Sequence, residues 1–212
     1  VSAARIAVLP GPEAAPALAG LLPTSVAPDA ADALLLLDVP AADALLAGLI
    51  ERGAPILATG SAALQLARLA GGGIESDTAP QFGFVDVEAL PGARDDPVTA
   101  AAGEGLPLFL WQADAIVLPP NALLLFRCER GRVQGFRVGG AYGFRFRPEL
   151  DAAAIRRLAT ERAARINNIG YRVRLVSEIE RHIGRQVAFA RAMVTAWLAS
   201  VERSSSAGLA GR

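Results

Sequence analysis

The chain has 212 residues, 52% of them hydrophobic and 20% charged, with a formal net charge of zero. That suits one domain with a full core, or one domain plus an appendage, and it is too apolar for a disordered segment. Cys128 is the single cysteine, which excludes an internal disulfide. Every basic residue is arginine, which excludes a phosphate-loop or Schiff-base lysine. The lone His182 leaves too few ligands for a zinc site, so no metal and no other cofactor is expected.

Apolar runs such as Ala33 to Leu37 are far too short to cross a bilayer. The N-terminal residues lack the basic lead and long apolar stretch of a signal peptide, so no membrane contact and a cytoplasmic location are expected. Charge is unevenly spread. Residues 1–126 carry 4 arginines against 14 acids, and residues 127–212 carry 17 arginines against 7 acids. The simplest reading is that the halves neutralise each other within one fold, so no nucleic-acid partner is expected.

Arg5 to Leu9, ended by Pro10-Gly11, is a short apolar run of the kind a buried strand makes. Residues 13–21 suit a short helix. Ala33 to Val39, stopped by Pro40, fits a central parallel strand buried on both faces. Ala41 to Arg52 is an Ala/Leu-rich helix with Gly53 as terminator. Pro55 to Thr59 is a third strand. It turns at Gly60-Ser61 into a helix from about Ala62 to Ala70, closed by Gly71-Gly72-Gly73. Alternation of this kind predicts an α/β sheet with parallel strands. In such sheets a strand-to-helix turn is where reactive groups are displayed.

The middle of the chain changes character. Phe82 to Leu90 alternates as a strand does, and Asp95-Asp96-Pro97 has the composition of a helix start. Leu106 to Trp111, Asp114 to Leu118, Ala122 to Cys128, Val133 to Val138 and Ala141 to Arg147 read as short strands. Pro119-Pro120-Asn121 and Gly139-Gly140 are turns between them. Residues 151–165 form a helix that Asn167-Asn168-Ile169-Gly170 breaks. A long helix then runs from about Arg172 to Val201 with one apolar face. Phe189, Met193 and Trp197 lie on that face, which either packs on the chain's own sheet or docks a partner. Ser204 to Arg212 is a polar, small-residue tail.

Four stretches in this order resemble the class I glutamine amidotransferases, in particular stand-alone members similar to the amidotransferase domain of GMP synthase. They are Pro55-Ile56-Leu57 through Gly71-Gly72-Gly73, Gln81-Phe82-Gly83-Phe84 through Asp95-Asp96-Pro97-Val98, Leu110-Trp111-Gln112-Ala113-Asp114 through Leu118-Pro119-Pro120, and Val133-Gln134-Gly135-Phe136-Arg137 through Tyr142 to Glu149. The resemblance implies an open, mostly parallel α/β sheet flanked by helices, a flavodoxin-like fold, over residues 1–150. The C-terminal helices over 151–203 would pack on the same domain, with a flexible tail at 204–212.

The family hydrolyses the glutamine side-chain amide with a Cys-His-Glu triad, a nucleophile with a positioned base. Counting forward from Pro55 puts the family cysteine at Gly60, and counting back from Gln65 and Gly72-Gly73 puts it at Ser61. A serine there could attack with a base beside it, or simply cap the helix. The family's His-Pro-Glu reads Arg147-Pro148-Glu149 here. A guanidinium stays protonated and cannot act as a general base, so an Arg147–Glu149 ion pair is expected. The family's Gly-rich oxyanion turn reads Asp38-Val39-Pro40. The triad positions Gly60, Ser61, Arg147 and Glu149 are thus degenerate.

These residues lead to a catalytically inactive amidotransferase-like protein that serves as a binding, regulatory or scaffold subunit. Its partner would be a synthase-type subunit or a second copy. Two alternatives stand beside it: hydrolysis of altered type through Ser61, and binding of a small anion by Arg147. The residues that could line such a pocket are Ser61, Gln65, Arg145 and Arg147. Cys128 reads as a small buried hydrophobe and His182 as a surface or half-buried helix residue.

Overall fold

A computed structural model describes residues 4–11, 14–129, 131–161 and 169–210. Among these, eight strands form one sheet in the order β1-β2-β3-β8-β7-β6-β4-β5. The first half is parallel: β1 (Ile6–Leu9), β2 (Ala33–Leu37), β3 (Ile56–Thr59) and β8 (Ala141–Phe144) run the same way. The second half is antiparallel: β7 (Val133–Val138), β6 (Leu123–Cys128), β4 (Gly73–Ala89) and β5 (Gly105–Val117). The helices are α1 (Asp43–Glu51), α2 (Ser61–Leu69), α3 (Pro91–Asp95), α4 (Ala152–Glu161) and α5 (Ile169–Ala210).

The β2 run Ala-Leu-Leu-Leu-Leu is buried throughout because both sheet faces are covered. Its odd-numbered leucines, Leu35 and Leu37, join a core shared with Phe189, Met193, Trp197 and Val201 of α5. Leu34 and Leu36 join the opposite core with Leu46 and Leu49 of α1 and Leu66 of α2. A third cluster packs α4 and the first half of α5 against Phe109. The apolar face of α5 is therefore core, and Phe189, Met193 and Trp197 are buried residues of this chain. The docking alternative for that face is overturned.

Several boundaries differ from the sequence reading, each for a local reason. Leu106–Trp111 and Asp114–Leu118 merge into β5, because β4 reaches back to Gly73 and pairs along its length, with a register shift between Ser76 and Gln81. Asp95-Asp96-Pro97 does not start a helix. The α3 helix ends there, and the buried Asp96 carboxylate accepts the Val98 N–H (2.9 Å), the Tyr142 hydroxyl (3.0 Å) and Arg137 Nη1 (2.7 Å). Long-range partners outweigh the local helix signal.

Within the segment expected as a short helix at 13–21, the described residues include the 3-10 turn Pro16–Leu18 and no α-helix. The β8 strand stops at Phe144, short of Arg147. The break at 167–170 lies outside the described residues up to 168, and α5 starts at Ile169. The supposed tail continues α5 to Ala210, with Ser204 and Ser206 hydroxyls donating to the carbonyls four residues back (3.0 Å each).

Candidate functional site

The site lies at the carboxyl end of the parallel strands, where β3 turns into α2. Gly60 makes the turn with φ +57 and ψ −123, a conformation open to glycine and costly for other residues. Its N–H donates to Phe144 O (2.8 Å), which ties the turn to β8. Its carbonyl accepts Arg145 Nη1 (2.6 Å). Gly60 is the N-cap residue and Ser61 the first helical one, so Ser61 does not cap the helix through its side chain. The Ser61 hydroxyl donates to the Asp38 carbonyl at 2.5 Å.

The residue that sequence reasoning undervalued is Asp38. It follows β2 directly and takes φ +58, the left-handed region that aspartate enters more readily than most residues. The turn thus enters the left-handed region without a glycine. Asp38 Oδ1 accepts the Ser61 backbone N–H at 2.7 Å, and Oδ2 pairs with Arg147 Nη1 at 2.5 Å. Arg147 Nε donates to Glu149 Oε1, as expected, and Thr59 Oγ1 donates to Glu149 Oε2 at 3.2 Å. Thr59 and Glu149 are wholly buried.

This cluster fills the space above the turn. A Cβ added to Gly60 would overlap the Asp38 carboxylate, with Cγ at 2.8 Å, and would lie 3.0 Å from Arg147 Cδ. A side chain at Gly60 has no room until Asp38 moves.

Beside it is a cavity of about 340 Å³ whose wall includes Asp38, Ser61, Trp111, Asp114, Arg145 and Arg147. Phe146 points into the core between the two arginines, which both face the cavity. Burial pulls the Arg145 guanidinium down to about 10, Arg147's charge acting the same way and Asp38 and Asp114 opposing. Arg145, only 4% exposed, is satisfied by neutral acceptors: Gly60 O, Gln112 Oε1 (3.2 Å) and Asp114 O (3.2 Å). For Arg147, burial works against the charge, but Glu149 and Asp38 outweigh it and raise its pKa above the ordinary value. With Arg147 paired to two carboxylates, the cluster carries no spare positive charge at that residue.

The remaining candidates fall elsewhere. Gln65 is absent from the cavity wall. Its amide clamps α2 to the start of α1, accepting the Ala41 N–H (3.0 Å) and donating to Ala41 O (2.7 Å) and Asp43 Oδ1 (2.6 Å). His182 is half-buried on α5, its ring 5.5 Å from that of Phe84. Cys128 is buried beside the amides of Gln81 and Gln134, at 3.6 and 3.5 Å. Gln112 bridges Arg145 to Gln81. Among the described residues no three His, Cys, Asp or Glu side chains gather as a metal site would require. No helix among them is long and apolar enough to cross a membrane.

Gln186 was also missed. It is buried on α5, accepts the Phe109 N–H (2.7 Å) and donates to Arg147 O (3.2 Å) and Leu150 O (3.1 Å). Its signal was one polar residue within the apolar stripe of α5.

Solved structures place this architecture. A glutamine amidotransferase from Thermotoga maritima superposes with a TM-score of 0.72 at 18% identity, covering 83% of this chain and 82% of that one. Another from Methylobacillus flagellatus gives 0.70 at 17% identity, over 83% and 79%. The fold is thus that of the class I glutamine amidotransferases. A Thermoplasma acidophilum protein assigned to GMP synthase, as one of its subunits, gives 0.66 at 16% identity. It spans 97% of this chain and 99% of its own, so the likeness includes the C-terminal helices. By sequence, no family model and no curated protein matches the chain.

Proposed function

We propose that the chain is a member of the class I glutamine amidotransferases that has kept the scaffold and lost the reaction. It acts as a non-hydrolytic binding or regulatory subunit in the cytoplasm. The observation that carries this reading is the filled elbow. Gly60 supplies no nucleophile, and the Asp38–Arg147–Glu149 cluster occupies the space where one would stand. Hydrolysis through Ser61 needs a base at its hydroxyl, and that hydroxyl is spent on a backbone carbonyl. Binding of an anion by Arg147 competes with two carboxylates already in place. The GMP synthase assignment of the Thermoplasma neighbour favours an ammonia-using synthase as the partner class.

The test is ammonia release from glutamine by the purified chain, alone and with its co-purified partner, beside a Ser61→Ala variant. No release above the uncatalysed background is expected. Turnover by the wild-type chain that disappears in Ser61→Ala would replace this reading with the Ser61 one.

A further inference from the structure

The Asp38 carboxylate is held as a bound anion would be. Its two oxygens are gripped by different donors: Oδ1 by the Ser61 backbone N–H at 2.7 Å and Oδ2 by Arg147 Nη1 at 2.5 Å. The first donor is the opening N–H of the nine-residue helix α2, where the peptide dipoles favour negative charge. The second is a guanidinium fixed from behind by buried Glu149. Nothing about this grip requires the carboxylate to belong to the chain. Asp38 side-chain exposure is 32%, and Asp38, Ser61 and Arg147 all face the 340 Å³ cavity, so a small molecule arriving through that cavity reaches the same donors. Asp38 reaches them only because its backbone enters the left-handed region at φ +58.

We propose that Ser61 N–H and Arg147 form a small-carboxylate site and that Asp38 is its tethered occupant, a plug that keeps free carboxylates out. This rests on the non-hydrolytic reading of the elbow and adds how the pocket is kept closed. A tethered group acts at a high effective concentration, so a free carboxylate at millimolar level loses the competition while Asp38 is in place.

The experiment titrates sodium formate, with sodium chloride as the ionic-strength control, into the full chain and variants, followed by calorimetry and melting temperature. Glycine adopts φ +58 without strain, so Asp38→Gly empties the grip and leaves the turn intact. Formate should saturate Asp38→Gly and raise its melting temperature, with at least tenfold weaker binding to the wild-type chain. Asp38→Asn, which keeps the turn and removes the charge, should fall between them. Adding Arg147→Met to Asp38→Gly should abolish saturation. Equal binding by wild type and Asp38→Gly overturns the proposal, as does a folded Asp38→Gly that does not saturate, or saturation that survives Arg147→Met. Loss of the fold in both Asp38 variants also overturns it, because a plug is dispensable to its scaffold. Ammonia release by the wild-type chain would refute the non-hydrolytic reading whatever formate does, so the two failures are told apart.

Discussion

At the scale of single residues, Gly60 and Asp38 are complementary. One has no side chain, and the other sends its carboxylate into the space that absence leaves. Installing a cysteine alone at Gly60 should therefore not restore chemistry. It combines a strained φ with a clash against Asp38. Gly60→Cys is expected to lose about 1–3 kcal/mol in urea unfolding and to release no ammonia from glutamine. Tyr142 gives a second residue-level test. Burial lifts its phenol above the ordinary 10.0, Asp96 adding to the rise and Arg137 opposing it. Above pH 10 the unfolded chain loses this proton while the folded chain keeps it, so stability falls as pH climbs from 10 through the higher folded value. A phenolate absorbance titration of wild type against Tyr142→Phe should show the missing component titrating late, with an alkaline loss of stability reduced in the variant.

At the scale of elements, α5 does more than cover a sheet face. Gln186 carries hydrogen bonds to Phe109 on β5 and to the carbonyls of Arg147 and Leu150, so the helix sets the path of the segment that delivers Arg147 and Glu149. Gln186→Leu would leave a buried N–H and two carbonyls short of partners. A loss of about 1–3 kcal/mol is expected by urea unfolding, with broader backbone amide signals at Arg147 than at β1. Element existence was largely legible from sequence: breakers bound β1, β2 and β3, and the α5 stripe follows helical spacing. The length of β4 was not legible. Its first half, Gly73 to Gln81, lacks strict alternation and is held as strand by pairing to β5.

At the scale of the whole molecule, the acidic first half and the arginine-rich second half meet inside one fold. Arg137–Asp96, Arg147–Asp38 and Arg127–Glu88 each join a residue of one half to one of the other. The proposed subunit role predicts a stoichiometric companion. Purification of the tagged chain from its native cells should bring down an ammonia-using synthase, identified by mass spectrometry. A chain that elutes alone from size exclusion and retains no synthase counts against the partner reading.

By itself the sequence determined that the chain has no lysine and no internal disulfide, and that its single cysteine and histidine are Cys128 and His182, because those depend on residue identity alone. It also carried the strand–helix order and the Arg147–Glu149 pair, whose members are two residues apart and locally linked. Only the tertiary structure decided that Gly60 makes the turn and Ser61 begins the helix, since one residue of slack cannot be resolved by counting from either side. It alone decided the role of Asp38, which lies 23 residues before Ser61 and 109 before Arg147 in the sequence yet contacts both. Parallel pairing of β2 with β3 and of β3 with β8 brings those three segments to one end of the sheet. Local spacing carries no record of that convergence.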